Sequence, residues 1–108
     1  MVNFQDFKNL DIRVAEIKEV KEIPNADKLY ILKIDIGGEE REIVAGIKKH
    51  YKPDELMGKK IVVLANLEPA VIRGVQSNGM LLAASDNSRE KIVILTPEKD
   101  MAPGSRIS

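Results

Sequence analysis

The sequence predicts an all-β fold: a small barrel of five short strands, with one short helix between strands three and four and an extended C-terminal segment. Three observations favour this fold. Short β-rich runs alternate with turn residues, no repeated strand-helix-strand unit is visible, and a single stretch carries helix-boundary signals. A two-sheet sandwich is the alternative architecture, but a lone helical turn suits a barrel, which needs a plug at that position.

The first strand is expected from Leu10 to Val20. Its first half alternates apolar residues with Asp11 and Arg13, and a bulge near Ala15 is expected to bend it. This period of two predicts a strand with one face on the core.

The second and third strands are predicted as a hairpin. The turn cluster Pro24–Asp27 precedes a β-rich run at Leu29–Ile36, which ends at the two glycines Gly37 and Gly38. Arg41–Gly46 would then form the return strand, because a short glycine-containing connection joins the two runs.

The helix and the remaining strands come next. Pro53–Leu56 is the one credible helical turn, since Pro stands near its start, acids fill its first turn and Gly58 follows it. Ile61–Ala65 is apolar throughout, which is typical of a strand buried on both faces. Met80–Ala84 and Ile92–Leu95 supply further strands before an irregular tail. These elements predict a five-stranded Greek-key barrel of the oligonucleotide-binding (OB) type.

Length and charge limit the possible functions. At 108 residues the chain is expected to form one domain, residues 1–108, because a chain of this size supports one hydrophobic core. It carries 17 basic and 17 acidic residues, which argues against a polyanion binder that works by net charge. Any affinity for nucleic acid must therefore come from local placement of charge.

No catalytic, metal, cofactor or membrane site is predicted. There is no cysteine and His50 is the single histidine, so a zinc site cannot be built from these residues. Neither Ser77 nor Ser85 lies in a nucleophile motif, which disfavours an enzyme. No apolar run approaches the roughly 20 residues of a membrane span, and no signal peptide opens the chain. A cytoplasmic location is expected.

The segment Asn66–Ala84 is the best candidate for a binding site, because it is too rich in turn residues for a core element and too patterned for a linker. Arg73 stands before Gly74, and Ser77–Gly79 precedes a closing apolar run. Loops of this kind on rigid strands commonly carry binding. The alternative is structural: Ser77–Gly79 would form only a hairpin turn.

Five motifs in one order extend this interpretation to nearly the whole chain: Leu10–Val14, Pro24–Leu29, Ile43–Ile47, Gly58–Val63 and Asn66–Ala84. Together they resemble the tRNA-binding domain found at the C-terminus of bacterial methionyl-tRNA synthetases. The same module occurs as free-standing tRNA-binding proteins and as the β subunit of an archaeal methionyl-tRNA synthetase. The resemblance implies an OB barrel that binds tRNA without catalysis, works as a homodimer, and acts alone or beside the synthetase.

The resemblance also implies candidate RNA-contacting residues. It places Ser77 and Met80 on the RNA-contacting surface, and Arg73 and Asn78 belong to the same turn. Arg73 can pair with a phosphate, the polar side chains can bond to sugar or base edges, and Met80 can contact an unstacked base. Further positive charge is expected from the basic run 48–52 and from the start of strand two, which adds Lys28, Lys48 and Lys49 to the candidates.

The sequence departs from the family pattern within the same segment. Family members usually carry a basic residue between Pro69 and the position of Arg73, where this chain has the neutral Ala70 and Val71. Phosphate attraction is weakened there, since each lost contact lowers affinity and salt dependence. This favours slightly the alternative function, a non-catalytic homodimeric chaperone or protein-interaction scaffold on the same barrel.

Dimerisation has support of its own in the sequence. A small barrel has few ways to cover apolar residues at both ends of its chain, which are Phe4, Phe7, Leu10, Met101 and Ile107. Packing of these segments against a second copy is one solution, and folding the tail back onto its own barrel is the other.

Overall fold

Five antiparallel strands form one sheet that curls into a nearly closed barrel, and the computed structural model describes all of residues 1–108. In chain order the elements are α1 Phe4–Lys8, β1 Ile12–Glu22, β2 Tyr30–Asp35, β3 Glu40–Ala45, α2 Pro53–Leu56, β4 Lys60–Leu64, β5 Ala70–Ile72, β6 Val75–Ser77, β7 Met80–Leu81, β8 Ala83–Ser85 and β9 Ile92–Ile94. The barrel sheet has the order β3-β2-β1-β4-β7, while β5-β6 and β8-β9 are separate two-stranded hairpins. The prediction of an all-β, OB-like barrel with a short helix between its third and fourth strands is confirmed.

The long strand β1 belongs to both halves of the barrel. Its first part, from Ile12 to Glu16, pairs with β4, and its second part, from Glu16 to Glu22, pairs with β2. The register shifts between Ile17 and Glu19, so the bulge lies three residues beyond the predicted position near Ala15. A bulge adds twist, which lets one strand follow the curvature of both halves.

The core follows the predicted alternation. In β2 the buried residues Tyr30, Leu32 and Ile34 alternate with half-buried ones, and the buried hydrophobic cluster unites 13 residues from β1 to β9. Helix α2 contributes Leu56, which is fully buried among these side chains. The helix therefore acts as the predicted plug of the barrel.

Helix α1 was not predicted from the sequence. The Asn3 side chain accepts a hydrogen bond from the Asp6 amide at 2.9 Å, which caps the helix, and none of its residues is buried. Phe4 and Phe7 have helical spacing, but a stretch of five residues is too short for its apolar periodicity to reveal a helix. Neither α1 nor α2 has the length and hydrophobicity that a membrane span requires.

The C-terminal tail completes the free edge at the start of β1. The Val14 amide donates to the Ser105 carbonyl at 2.9 Å, and the Gly104 and Ile107 amides donate back to Val14 and Ile12 at 2.7 and 2.8 Å. Gly104 also packs against the β2–β3 turn, where an added Cβ would stand 2.9 Å from the Cα of Gly37. The tail is therefore built into the sheet.

Candidate nucleic-acid interface

Two loops at one end of the barrel meet around a cleft. One is the β1–β2 loop, residues 23–29, and the other is the segment between β4 and β7, residues 65–79. The cleft has a volume of about 300 Å³ and is lined by residues 25–29 and by Arg73. The equivalent pair of loops is where OB barrels bind oligonucleotides. We call it the Arg73 cleft.

Arg73 occupies the tip of the β5–β6 hairpin. Arg73 and Gly74 form the two-residue turn between paired Ile72 and Val75, and both have positive φ, 54° and 79°. A left-handed conformation is unfavourable for arginine. The guanidinium is exposed and forms no ion pair. The hairpin turn is thus at Arg73–Gly74, and the structural alternative that placed it at Ser77–Gly79 was wrong.

The base of the hairpin segment is clamped to the barrel. The Arg41 guanidinium donates to the Ala65 carbonyl, where the segment begins, and at 3.4 Å to the Asn78 carbonyl, where it ends. Asn66 accepts from the Asp11 amide at 2.9 Å. These contacts attach both ends of the segment to the barrel, and Arg73 at the hairpin tip lines the cleft.

The structure gives Ser77 a supporting position beneath the hairpin. Its side chain is only 5% exposed, and its hydroxyl accepts from the Val44 amide at 2.9 Å and donates to the Gly79 carbonyl at 3.2 Å. Both hydrogen-bonding functions of the hydroxyl are therefore used within the protein. Asn78 is half-buried, and its backbone amide donates to the Glu42 carbonyl at 3.0 Å. Together Ser77 and Asn78 attach the hairpin to β3.

Met80 lines a second depression, a groove between the two outer strands of the barrel sheet. One wall is the end of β3 and its continuation, residues 44–47, and the other runs along residues 80–83. Ser85, Arg89 and Ile92 of the β8–β9 hairpin close one end, and the volume is about 360 Å³. Met80 is 43% exposed, so its thioether is available to a ligand. We call this depression the Met80 groove.

The lysine candidates differ in availability. Lys28 and Lys49 are exposed and form no ion pair. Lys48 lies 2.6 Å from a Glu22 carboxylate oxygen, and the hydrogen bond between them raises the pKa of the Lys48 ammonium. The Lys48 amide donates to the Lys28 carbonyl at 3.1 Å, so the basic run adjoins the β1–β2 loop. Lys28 thus lies beside Arg73, while the charge of Lys48 is already compensated.

The aromatic residue of the basic run faces inward. The Tyr51 ring packs against the core, and its hydroxyl accepts from the Ile94 amide at 3.1 Å. Tyr51 therefore connects the basic run to β9, and its ring packs on the core instead of facing solvent. No cluster of three or more acidic, histidine or cysteine side chains is placed to hold a metal ion.

Arg89 was missed by the sequence interpretation. It belongs to the turn of the β8–β9 hairpin and has φ of 59°. Its amide donates to the Asp86 carbonyl at 3.0 Å, and the Asp86 carboxylate accepts from the Lys91 amide at 3.2 Å. That last hydrogen bond lowers the pKa of Asp86. Only the positive-φ geometry and the groove reveal Arg89, since its local sequence resembles an ordinary solvated turn.

Comparison with known proteins extends the sequence resemblance. Residues 12–106 match the family described as "Putative tRNA binding domain". A methionine–tRNA ligase from Pyrococcus furiosus is 51% identical over 106 residues, which are 98% of this chain and 14% of the ligase. The chain therefore corresponds to a small part of that relative's length.

Solved structures agree with the same fold over the full chain. A MetRS-related protein from Pyrococcus horikoshii gives a TM-score of 0.93 at 32% identity, covering 100% of this chain and 98% of that one. A CsaA chaperone protein from Picrophilus torridus gives 0.89 at 36% identity, with 100% of both chains covered.

Proposed function

This chain belongs to the tRNA-binding domain family, and from that premise we propose that it binds tRNA through the Arg73 cleft, recognising structure and contributing no catalysis of its own. The observation that carries this proposal is the pair of exposed, unpaired cations Lys28 and Arg73 around one cleft. Phosphate contacts supply most of the affinity of such interfaces, and Arg and Lys are the side chains that make them.

The cleft is locally positive although the chain as a whole has no net charge. Asp27 is the one acidic residue lining the cleft, and Lys28 and Arg73 outnumber it. Lys49 adds a further exposed cation on the adjoining basic run. We therefore propose that binding depends on a small number of phosphate contacts from cations at defined positions in the protein, rather than on long-range attraction by net charge.

We propose further that two copies form the working unit. Phe4 and Phe7 are 74% and 37% exposed, and they line a depression together with Leu10 and Ile107, which Lys8, Arg106 and Ser108 also line. A second copy covering this face would present two Arg73 clefts to one RNA. Light scattering should give twice the 12.0 kDa chain mass at micromolar concentration.

The dimer has a matched control variant. The double variant F4S/F7S should return the mass to that of one chain, because it removes apolar area from the proposed contact. Val71→Ser removes a side chain of similar exposure, 73%, from the β5 strand and should leave the dimer intact. A 12 kDa monomer for the unaltered protein would remove the dimer from this proposal.

The proposed biological role is support of methionyl-tRNA synthetase, either as its β subunit or by acting in trans. The similarity to one region of methionine–tRNA ligase supports this role. A binding module that holds tRNA raises its effective concentration at a partner's active site. Adding the protein to a methionyl-tRNA synthetase that lacks such a region should lower the apparent KM for tRNA while leaving kcat unchanged.

The direct test is a salt titration of binding to unfractionated tRNA. If Lys28, Lys49 and Arg73 each contact one phosphate, log K should fall against log salt with a slope of about −2 to −3 per subunit. Lys99→Asn removes an exposed cation outside the cleft and should leave the slope unchanged. A slope near zero, or affinity no better than for an unrelated unfolded peptide, rejects the proposal.

A second candidate function is a non-catalytic chaperone or protein-interaction scaffold. The similarity to the CsaA chaperone protein and the apolar lining of the Met80 groove favour it. An unfolded polypeptide would bind such a groove with little salt dependence, because apolar contact releases no counterions. Suppression of aggregation of a heat-denatured protein, undiminished by excess tRNA, would support this function over tRNA binding.

A further inference from the structure

We propose that the Met80 groove is a subsite for one unpaired nucleotide, with the base between Met80 and the end of β3 and its phosphate on Arg89. This proposal rests on the proposed function, since it concerns the same RNA as the Arg73 cleft. The subsite requires a base that is free to leave the stack, and a fully paired helix has no such base.

The groove exists because the barrel is not closed along its whole length. Strands β3 and β7 are the two ends of the sheet order. They are bridged beside β7 by the bonds from the Val44 amide to Ser77 and from the Asn78 amide to the Glu42 carbonyl. Residues 44–47 and 80–83 line the opening from its two sides.

The lining suits a nucleobase. Eight of its 11 residues are hydrophobic, and no acidic residue is among them. A base presents two apolar faces and a polar edge, and a methionine side chain adapts to such a face. The volume of about 360 Å³ is at the lower end of ordinary ligand pockets, which fits a single small group.

Arg89 supplies the charge complementarity that makes RNA the preferred occupant. Its guanidinium is exposed, makes no ion pair, and closes the end of the groove. The turn carries two acids: Asp86, whose carboxylate accepts hydrogen bonds from backbone amides within the hairpin, and Glu90, which follows Arg89 in sequence but forms no ion pair with it. An apolar peptide has no negative group to pair with this cation. A nucleotide that enters the groove with its base first has its phosphate at the rim, where it can pair with Arg89.

The groove and the Arg73 cleft are neighbours. Gly46 lines the groove, and a Cβ built on it would meet the Leu29 side chain, which lines the cleft, at 3.9 Å. The two depressions therefore adjoin each other at Gly46 and Leu29. One RNA strand can therefore contact Arg73 and Lys28 at the cleft and place a following nucleotide in the groove.

The experiment compares two RNAs of equal phosphate count: a hairpin with a four-nucleotide loop carrying one 2-aminopurine, and a blunt duplex. The protein should bind the looped hairpin at least ten-fold more tightly, and 2-aminopurine fluorescence should change on binding. Arg89→Asn should reduce the salt slope for the looped RNA by about 0.7 to 0.9. Asparagine is chosen because it tolerates the left-handed conformation at this position.

Filling the groove provides a test that removes no charge. Ala83→Leu places a larger side chain in the groove and should lower the affinity for the looped RNA about ten-fold or more, with the salt slope unchanged and the fluorescence change lost. Ala84→Leu is the matched control, because Ala84 is also exposed on β8 but does not line the groove. Met80→Ala replaces this test if Ala83→Leu fails to fold, because it only shortens an exposed side chain. It should lower the affinity for the looped RNA roughly five-fold or more.

The outcomes separate this inference from the proposed function. If the unaltered protein binds neither RNA nor tRNA, both are wrong. If tRNA binding depends on Arg73 while the looped hairpin and duplex bind equally, and Ala83→Leu and Met80→Ala match the unaltered protein, the groove has no role in RNA binding. If Ala83→Leu instead abolishes binding of an extended leucine- and valine-rich peptide and leaves RNA affinity unchanged, the groove belongs to a protein client and the inference is overturned.

Discussion

Replacing Arg73 with asparagine should make the protein more stable and a weaker binder of tRNA. The turn between β5 and β6 has two residues with positive φ, and asparagine followed by glycine is the preferred pair for such a turn. An ordinary L residue loses roughly 1–2 kcal/mol in this conformation, and asparagine avoids part of that loss. We therefore expect Arg73→Asn to raise the free energy of unfolding by about 0.5–1 kcal/mol.

The expected effects are large enough to measure. For a domain of this size a gain of 0.5–1 kcal/mol corresponds to an increase in Tm of about 2–8 °C. Loss of one phosphate contact should weaken tRNA binding by roughly 5- to 30-fold, the factor for one or two kcal/mol, and reduce the salt slope by nearly one unit. The two effects have opposite signs, which a simple loss of folding cannot produce.

The assay combines thermal unfolding with a tRNA titration at several salt concentrations. Lys99→Asn controls for the removal of an exposed cation, and Arg73→Lys keeps the charge in the strained position. Arg73→Lys should keep the salt slope and gain no stability. If Arg73→Asn binds tRNA with unchanged affinity and slope, Arg73 does not contact phosphate, and if its Tm is unchanged or lower, the argument from turn strain is wrong.

Three further predictions concern the hairpin segment, the tail and the β2–β3 turn. Ser77→Ala should lower the free energy of unfolding by about 1–3 kcal/mol in urea titrations, because it removes the partner of the half-buried Val44 amide and of the buried Gly79 carbonyl, and any loss of tRNA affinity should be accompanied by this loss of stability. Gly104→Ala should cost about 2–4 kcal/mol, since a Cβ there would stand 2.9 Å from Gly37 and φ is +90°; thermal unfolding within 1 °C of the unaltered protein would contradict the close packing of the tail. The pKa of Asp35 is lowered by hydrogen bonds from the amides of the β2–β3 turn, so its carboxylate stabilises the fold at pH values above about 4 and this contribution is lost as the pH falls further. Between pH 5 and pH 2, Asp35→Asn should therefore lose less stability than the unaltered protein does.

The barrel could be predicted because its strands record their burial in the sequence. The second strand alternates with a period of two, and Pro53–Leu56 carries its own boundary signals, so local residues were enough. Helix α1 and the tail could not be predicted in the same way. The tail joins the sheet edge only through an isolated bridge and hydrogen bonds to β1, some 90 residues earlier in the chain, and no local pattern records that contact.

The candidate site shows the same division. The segment 66–84 was recognised from its turn residues, yet the local sequence could not tell which of its polar side chains point outward. Ser77 and Arg73 are both hydrophilic, and only the barrel decides that one is 5% exposed beneath the hairpin and the other lies at its tip. Arg89 has no local pattern of this kind, because its position at the groove depends on where the β8–β9 hairpin lies relative to the end of β3.

The backbone itself gives an independent reason to connect the two depressions. Three residues other than glycine have positive φ in this chain, Asn25, Arg73 and Arg89, and all three line either the Arg73 cleft or the Met80 groove. Strained backbone of this kind concentrates at binding sites, because selection for stability alone would favour glycine or asparagine there. Asn25 is already such a residue, but at the other two positions arginine is kept although it destabilises the turn. In a protein whose total charge is zero, the cations that bind phosphate have to be placed individually, and a tight turn holds the arginine backbone rigidly at the rim of each depression.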